Sequence, residues 1–161
     1  MLEPATAADS RALHRLRRSL EDWLRAEGVD QWIPGEVTEA EVAAQIARGE
    51  WHVLRNGAGI DAALRFLRAD REIWGQDETS ARYVHGLMVD RAAAGRGLGE
   101  AVLRWAAQRS TAEGAERLRL DCGETNEALR AYYRSRGFTE VGRKDFDHGW
   151  FSVTLFEKRL R

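Results

Sequence analysis

The sequence predicts one domain of the α+β or α/β class. Three observations predict it. The 161 residues suit a single core, since domains run to about 150 residues. Helical and strand periodicities interleave along the chain rather than separating into halves. No repeat, low-complexity tract or Gly/Ser linker interrupts residues 1–161, so they read as one domain.

The elements follow in order. Thr6-Ala7-Ala8-Asp9 is a capping-box start, and Leu13, Leu16, Leu20 and Leu24 recur at three- and four-residue steps until Gly28, which defines an amphipathic helix. Gly28 to Gly35 is a loop whose Trp32 and Ile33 suit a binding wall. Thr38-Glu39-Ala40-Glu41 caps a second helix through about Arg48. A strand from Trp51 to Arg55 meets the Asn56-Gly57 hairpin signal and an antiparallel partner from Gly59 to Leu67. Asp70 to Ser80 is polar and reads as a turn. Tyr83 to Val89 is a buried strand, and Gly86 inside it marks a bulge. Leu98 to Thr111 is helical, Leu118 to Cys122 is a strand, and Asn126 to Arg136 is a helix that Gly137-Phe138 ends. Two final strands are expected at 138–142 and 150–158.

Composition excludes several function classes. Twenty-five Lys plus Arg against 26 Asp plus Glu give a net charge of −1, without the basic excess that phosphate contacts require, so no nucleic-acid partner is expected. No apolar run approaches the roughly 18 to 20 residues of a membrane helix, and Met1-Leu2-Glu3-Pro4 has no leader character. A cytoplasmic protein without a membrane partner is the expectation. Cys122 is the sole cysteine and the four histidines lack paired-ligand spacing, so neither a disulfide nor a metal site is expected. The neutral total conceals a gradient, with residues 1–80 at net −5 and residues 81–161 at net +4.

Gly95-Arg96-Gly97-Leu98-Gly99 joins the bulged strand to the following helix. Backbone N–H groups there converge where the helix dipole is positive, which suits an anion. A Walker loop ends in Gly-Lys-Ser/Thr, whereas Gly99 precedes Glu100; a dinucleotide fingerprint needs a glycine at position 100 or 102, where Glu and Val stand. Either the loop cradles another kind of phosphate or it is only a connecting turn.

These residues resemble the GNAT superfamily of acyl-CoA-dependent N-acyltransferases. Its pyrophosphate loop has the form Arg/Gln-x-x-Gly-x-Gly/Ala, and residues 94–99 read Ala-Gly-Arg-Gly-Leu-Gly, with Ala94 where Arg or Gln is usual. Its second block spaces Asn, Tyr and Gly-Phe as Asn126, Tyr133 and Gly137-Phe138 are spaced here. The resemblance covers roughly residues 82–142, and Leu155 to Leu160 resembles the family's last strand. It implies an α+β fold layered α/β/α, in which helices flank a mixed, mostly antiparallel central sheet, with a bulged strand that splays from its neighbour and holds a pantetheine arm as an added strand would. Acetyl-CoA is then the co-substrate, with Met88 and Val89 on pantetheine and Ala94, Gly95, Arg96, Gly97, Leu98 and Gly99 at the pyrophosphate. The Leu87 amide would stabilise the oxyanion.

The resemblance assigns protonation of the leaving thiolate to Tyr133, against the reading of Tyr132 and Tyr133 as packing residues, with Tyr132 a bystander. His85 stands where many members carry a glutamate base. It is either that base or a buried histidine that shapes the bulge. Asn126 is expected to face pantetheine rather than merely cap a helix, and Arg130 either reaches the 3′-phosphate or is a solvated surface residue. Trp23, Asp30, Trp32 and Asp145 lie in segments that build the family's acceptor side, and acid with aromatic groups suits a cationic amine. The expectation is an N-acetyltransferase acting on a small-molecule or free amino-group acceptor, as a monomer or homodimer. The alternatives are a longer-chain acyltransferase and a non-catalytic acyl-CoA-binding module, the latter favoured by Ala94 and the missing strand carboxylate.

Overall fold

Seven strands hydrogen-bond into one sheet in this computed structural model, which describes residues 1–57 and 59–161. In chain order they are β1 (Glu3–Pro4), β2 (Trp51–Asn56), β3 (Gly59–Leu67), β4 (Ala81–Val89), β5 (Arg117–Gly123), β6 (Thr139–Lys144) and β7 (Val153–Arg159). The spatial order is β1-β2-β3-β4-β5-β7-β6. Among these strands only β4 and β5 run parallel; the other neighbours are antiparallel. The helices are α1 (Ser10–Ala26), α2 (Glu39–Ala47), the single turn α3 (Arg71–Trp74), α4 (Leu98–Ala112) and α5 (Glu127–Ser135). Position 58, beside the expected Asn56-Gly57 turn, lies outside the described residues.

Strand alternation divides the interior into two cores. Ala63 and Met88 turn to one face, where Leu13, Leu16 and Leu20 of α1 and Val42 and Ile46 of α2 cover them. Leu64, Phe66 and Val84 turn to the other, against Val102, Leu103 and Ala106 of α4 and Leu118, Leu120, Tyr133 and Phe156. Leu13, Leu64, Leu118 and Phe156 are fully enclosed, and burial of each such side chain contributes about 1.5–3 kcal/mol. The leucine stripe read from the sequence is therefore the inner face of α1.

Three local expectations change. A two-residue strand, β1, precedes α1; a proline at a sheet edge needs no ladder donor, and Glu3 is tied to Arg55 across β2. The segment read as a turn after Asp70 contains α3, closed by the Trp74 amide donating to the Asp70 carbonyl at 2.8 Å and anchored by buried Ile73. The last strand begins at Val153 rather than 150, because Asp145 accepts the Ser152 hydroxyl across the preceding loop.

Two features of β4 position the site. Its pairing with β5 is confined to Ala81, Arg82 and Tyr83, so the strands part beyond Tyr83 and β4 leaves polar backbone toward the gap. Its register with β3 slips, with Gly86 and Leu87 together facing Leu64, and Gly86 has φ +60°. That is the bulge expected from the glycine.

Candidate active site

Two cavities, about 450 and 560 Å³ in volume, open on either side of the parted strands and share His85, Gly86, Asp121, Gln31 and Trp32 as common wall. The first is lined by Leu87, Met88 and Val89 of β4, Asn126 and Leu129 at the start of α5, and Tyr132 and Tyr133. The second lies over β2 and β3 and includes Arg17, Glu36, Glu50, Arg65, Asp70 and the aromatic side chains of the β6–β7 loop.

His85 sits at the junction because the bulge lifts it out of the regular pleat. Its Nδ1 is 3.6 Å from Asp70 Oδ2 and 3.7 Å from Asp121 Oδ1. Burial, reinforced by the Arg65 and Arg17 charges, holds the imidazole down to about 4, so it is neutral at physiological pH and able to accept a proton. Burial, followed by the charge of Asp70, pushes the Asp121 carboxyl up to about 7. Asp70 is likewise raised by burial. Neither aspartate was singled out from the sequence. The one signal for Asp121 was strand alternation, which turns Leu118, Leu120 and Cys122 into the core and position 121 away from it.

Tyr133 is buried with its ring edge-on to Phe138 and Phe156, yet it also lines the first cavity. Burial drives its phenol well above the usual tyrosine range, so the hydroxyl keeps its proton. Tyr132, read as a bystander, lines the same cavity, and its hydroxyl lies where a Cβ on Gly99 would meet it at 2.9 Å.

The loop Ala94–Gly99 is exposed or half-exposed and lies outside both cavities, at the surface end of β4. Gly97 caps α4 without a side-chain bond, leaving the amides of the first turn of this 15-residue helix for an anion. Arg96 instead reaches back to Asp61 at 3.2 Å. Arg91, missed by the sequence reading, stacks 4.0 Å over Trp23 at the wall of the first cavity.

Several placements differ from expectation. Asn126 does cap α5, accepting from the Leu129 amide at 3.2 Å, and its amide donates to Gln31 at 2.9 Å while the residue lines the first cavity. Arg130 is held by Glu127, Glu140 and the Glu124 carbonyl, so its guanidinium is engaged within the protein. Trp23 belongs to the first cavity, not the second; Trp32 lines both and carries Arg17 at 3.9 Å over its ring. Asp30 and Asp145 border neither cavity. Asp30 is exposed with its carbonyl against Gly123, and Asp145 binds Arg143 and Ser152. The aromatic neighbours of Asp145, Phe146 and Trp150, line the second cavity instead. The basic later half is also less available than its charge suggested, because Arg82, Arg109, Arg119 and Arg134 are paired with carboxylates.

The loop that closes the cavities is fixed by buried polar contacts. Glu21 accepts from Arg17 at 2.6 Å and from the Gly35 amide at 2.8 Å, and also pairs with Arg18. Arg17 reaches on to Glu36 at 2.8 Å. Gln31 accepts from the Gly123 amide at 3.0 Å and from Asn126, joining the loop to β5 and α5. A buried charge is tolerated when paired and hydrogen-bonded in this way.

A bulged strand parted from its parallel neighbour, with a free helix N-terminus at its end, defines an acyltransferase scaffold, and known proteins agree. Residues 17–138 match the acetyltransferase (GNAT) family. The chain is 32% identical over 147 residues to the uncharacterized N-acetyltransferase YesJ of Bacillus subtilis (strain 168), covering 86% of this chain and 81% of that protein. A GNAT-family acetyltransferase from Listeria monocytogenes superposes with a TM-score of 0.79 at 25% identity, over 99% of this chain and 94% of that one. The PaiA N-acetyltransferase of Thermoplasma acidophilum, solved with coenzyme A, shares the fold at a TM-score of 0.74 and 15% identity, over 99% and 98% of the two chains. The chain belongs to the GNAT family and is an N-acetyltransferase.

Proposed function

We propose that the protein moves an acetyl group from acetyl-CoA to a primary amine by direct attack in a ternary complex, the acceptor being a small molecule or a free amino group. The observation that carries this reading is the meeting of two cavities at His85 and Gly86, one beside the parted strands and the other beside ionisable and aromatic groups. The residues fit acetyl-CoA: parted backbone for the pantetheine amides, and the Gly95–Gly99 amides at the N-terminus of α4 for the diphosphate. Ala94 removes a side chain from that cradle but none of its amides.

The chemistry then follows from the residues. Neutral His85 takes a proton from the incoming ammonium, and the freed lone pair forms the N–C bond to the thioester carbon. The C=O π pair moves to oxygen, where the Leu87 amide in the bulge donates to it. As the carbonyl re-forms, the C–S pair leaves on sulfur, Tyr133 supplies the sulfur with its proton, and the nitrogen releases its second proton to solvent to give the neutral amide. A phenol near 10 gives its proton uphill to a thiolate near 8.5, and burial of Tyr133 steepens that gradient. The transfer is therefore completed by departure of the CoA thiol. The proton on His85 returns through solvent to the tyrosinate.

Release of CoA thiol from acetyl-CoA across an amine panel, with Tyr133→Phe beside the wild type, tests the reading. Turnover that falls about 10²–10⁴-fold in the variant is expected. Binding of CoA without turnover of any amine would overturn the enzyme assignment; unchanged turnover in the variant would remove only Tyr133 from it.

A further inference from the structure

Among the described residues, arginine meets most of the acids that are largely enclosed: Asp9 by Arg55, Glu21 by Arg17, Glu50 by Arg48 and Arg65, Glu113 by Arg82 and Arg109, Glu157 by Arg119. Asp70 and Asp121 differ. Their side chains are 12% and 10% exposed, and among the described residues no arginine or lysine pairs with either. Arg65, whose charge Asp70 feels, is bound to Glu50 at 2.7 Å. The two carboxyls and His85 present their ligand atoms within 4.8 Å of one another, and Asp121 and His85 border both cavities. Two buried carboxyls without a cation are unfavourable unless something else supplies the charge.

We infer that Asp70 and Asp121 form the seat of the acceptor's ammonium group, and that the acceptor is a cationic primary amine whose α carbon carries no carboxylate. This rests on the acetyl-transfer reading above. An ammonium between the carboxyls supplies the missing charge, and when its proton passes to His85 the positive charge stays between the same two groups. The raised Asp121 carboxyl fits a seat that ionises fully when the cation arrives. An α-carboxylate would be carried in with the amine and face like charge at close range, which weakens binding. The rest of the second cavity agrees. Six carboxyls line it against three arginines, of which Arg17 and Arg65 are already bound to glutamates and only Arg71, at the exposed rim, is not. Trp32, Phe146, Trp150 and Phe151 supply an aromatic wall for the body of an amine.

Matched pairs that differ only by the α-carboxylate test this: tyramine against tyrosine, and phenethylamine against phenylalanine. In thiol-release kinetics the member without the carboxylate should have a kcat/KM roughly 100-fold higher in at least one pair, with the preference reduced below about tenfold in Asp121→Asn and Asp70→Asn. The loss should appear mainly in amine KM, and Asp121→Glu should restore part of it. Calorimetric binding of tyramine and tyrosine to the protein saturated with CoA gives a readout that needs no turnover. Preferential tyramine binding without acetyl transfer would overturn the catalytic reading while upholding the seat. Equal or better use of the amino acids, or a preference unchanged in folded Asn variants, would overturn the seat. So would a zinc ion held by these three side chains and required for turnover.

Discussion

Gly86→Ala probes the bulge on which the proposed chemistry depends. Gly86 holds φ +60°, and a Cβ there would lie 3.2 Å from Trp51 Cη2 and 3.9 Å from Arg65 Cδ. Trp51 cannot readily yield, being buried and donating from Nε1 to Gln45 at 2.9 Å. A left-handed backbone costs an alanine about 1–2 kcal/mol, and the tight ring contact adds to it. The total of about 2 kcal/mol corresponds to a fall in Tm of roughly 4–8 °C for a domain of this size. The chain can escape the strain by returning residue 86 to extended geometry, which rotates the Leu87 amide away from the gap and shifts His85. Loss of one oxyanion donor lowers kcat by about 10²–10³. Thermal denaturation with thiol-release kinetics reads both effects, and Leu87→Ala, which keeps the amide, is the control. A lowered Tm with kcat within about threefold of wild type would refute the role of the bulge in catalysis. An unchanged Tm would refute the strain argument itself.

Three further outcomes follow from the same structure. His85→Gln removes the proposed base but keeps a polar side chain, so kcat should fall about 10²–10⁴-fold while acetyl-CoA KM stays near wild type; equal kcat in steady-state assays would return His85 to a shaping role. In Gly123→Ala the new Cβ meets the Asp30 carbonyl, which must retreat with Gln31 and Trp32; a shift of about 1 Å at a positioning loop costs about 10²-fold, and kcat/KM indistinguishable from wild type would show that the loop is not part of the acceptor wall. His52 is buried against Trp105 with Nδ1 unpartnered, and burial lowers its pKa. The unfolded chain therefore binds a proton below about pH 6.5 that the native state refuses, and the contribution is complete above that pH and declines by up to about 1.4 kcal/mol per unit below it. Chemical denaturation at pH 7.5 and 5.5 should show a smaller acid loss in His52→Gln than in wild type; the same loss in both would assign acid sensitivity elsewhere.

What the sequence made legible was local. Leucines at helical spacing, Asn56-Gly57, and Gly86 within an apolar strand each state their structure through nearby residues, and the resulting order of elements led to the sheet. β1 and α3 were illegible because two and four residues are too few to show a period. In the site, the two motif blocks marked the strand, loop and α5 that form the proposed cofactor side. The acceptor side depended on which residues the topology brings together. Asp70 and Asp121 are 51 positions apart in sequence and meet only because β4 and β5 part around His85. Asp30 and Asp145 occupy the expected segments but point their charges elsewhere, since a loop's sequence does not specify which of its side chains turns inward.

In the proposed reaction the acetyl group crosses from one cavity to the other at the Gly86 bulge. A crystal structure with bound acetyl-CoA tests it most directly. The diphosphate is expected on the amides of Gly95 to Gly99, the thioester oxygen about 2.7–3.1 Å from the Leu87 nitrogen, and the acyl carbon facing His85. A thioester lying outside the gap between β4 and β5, or a diphosphate away from the start of α4, would contradict it.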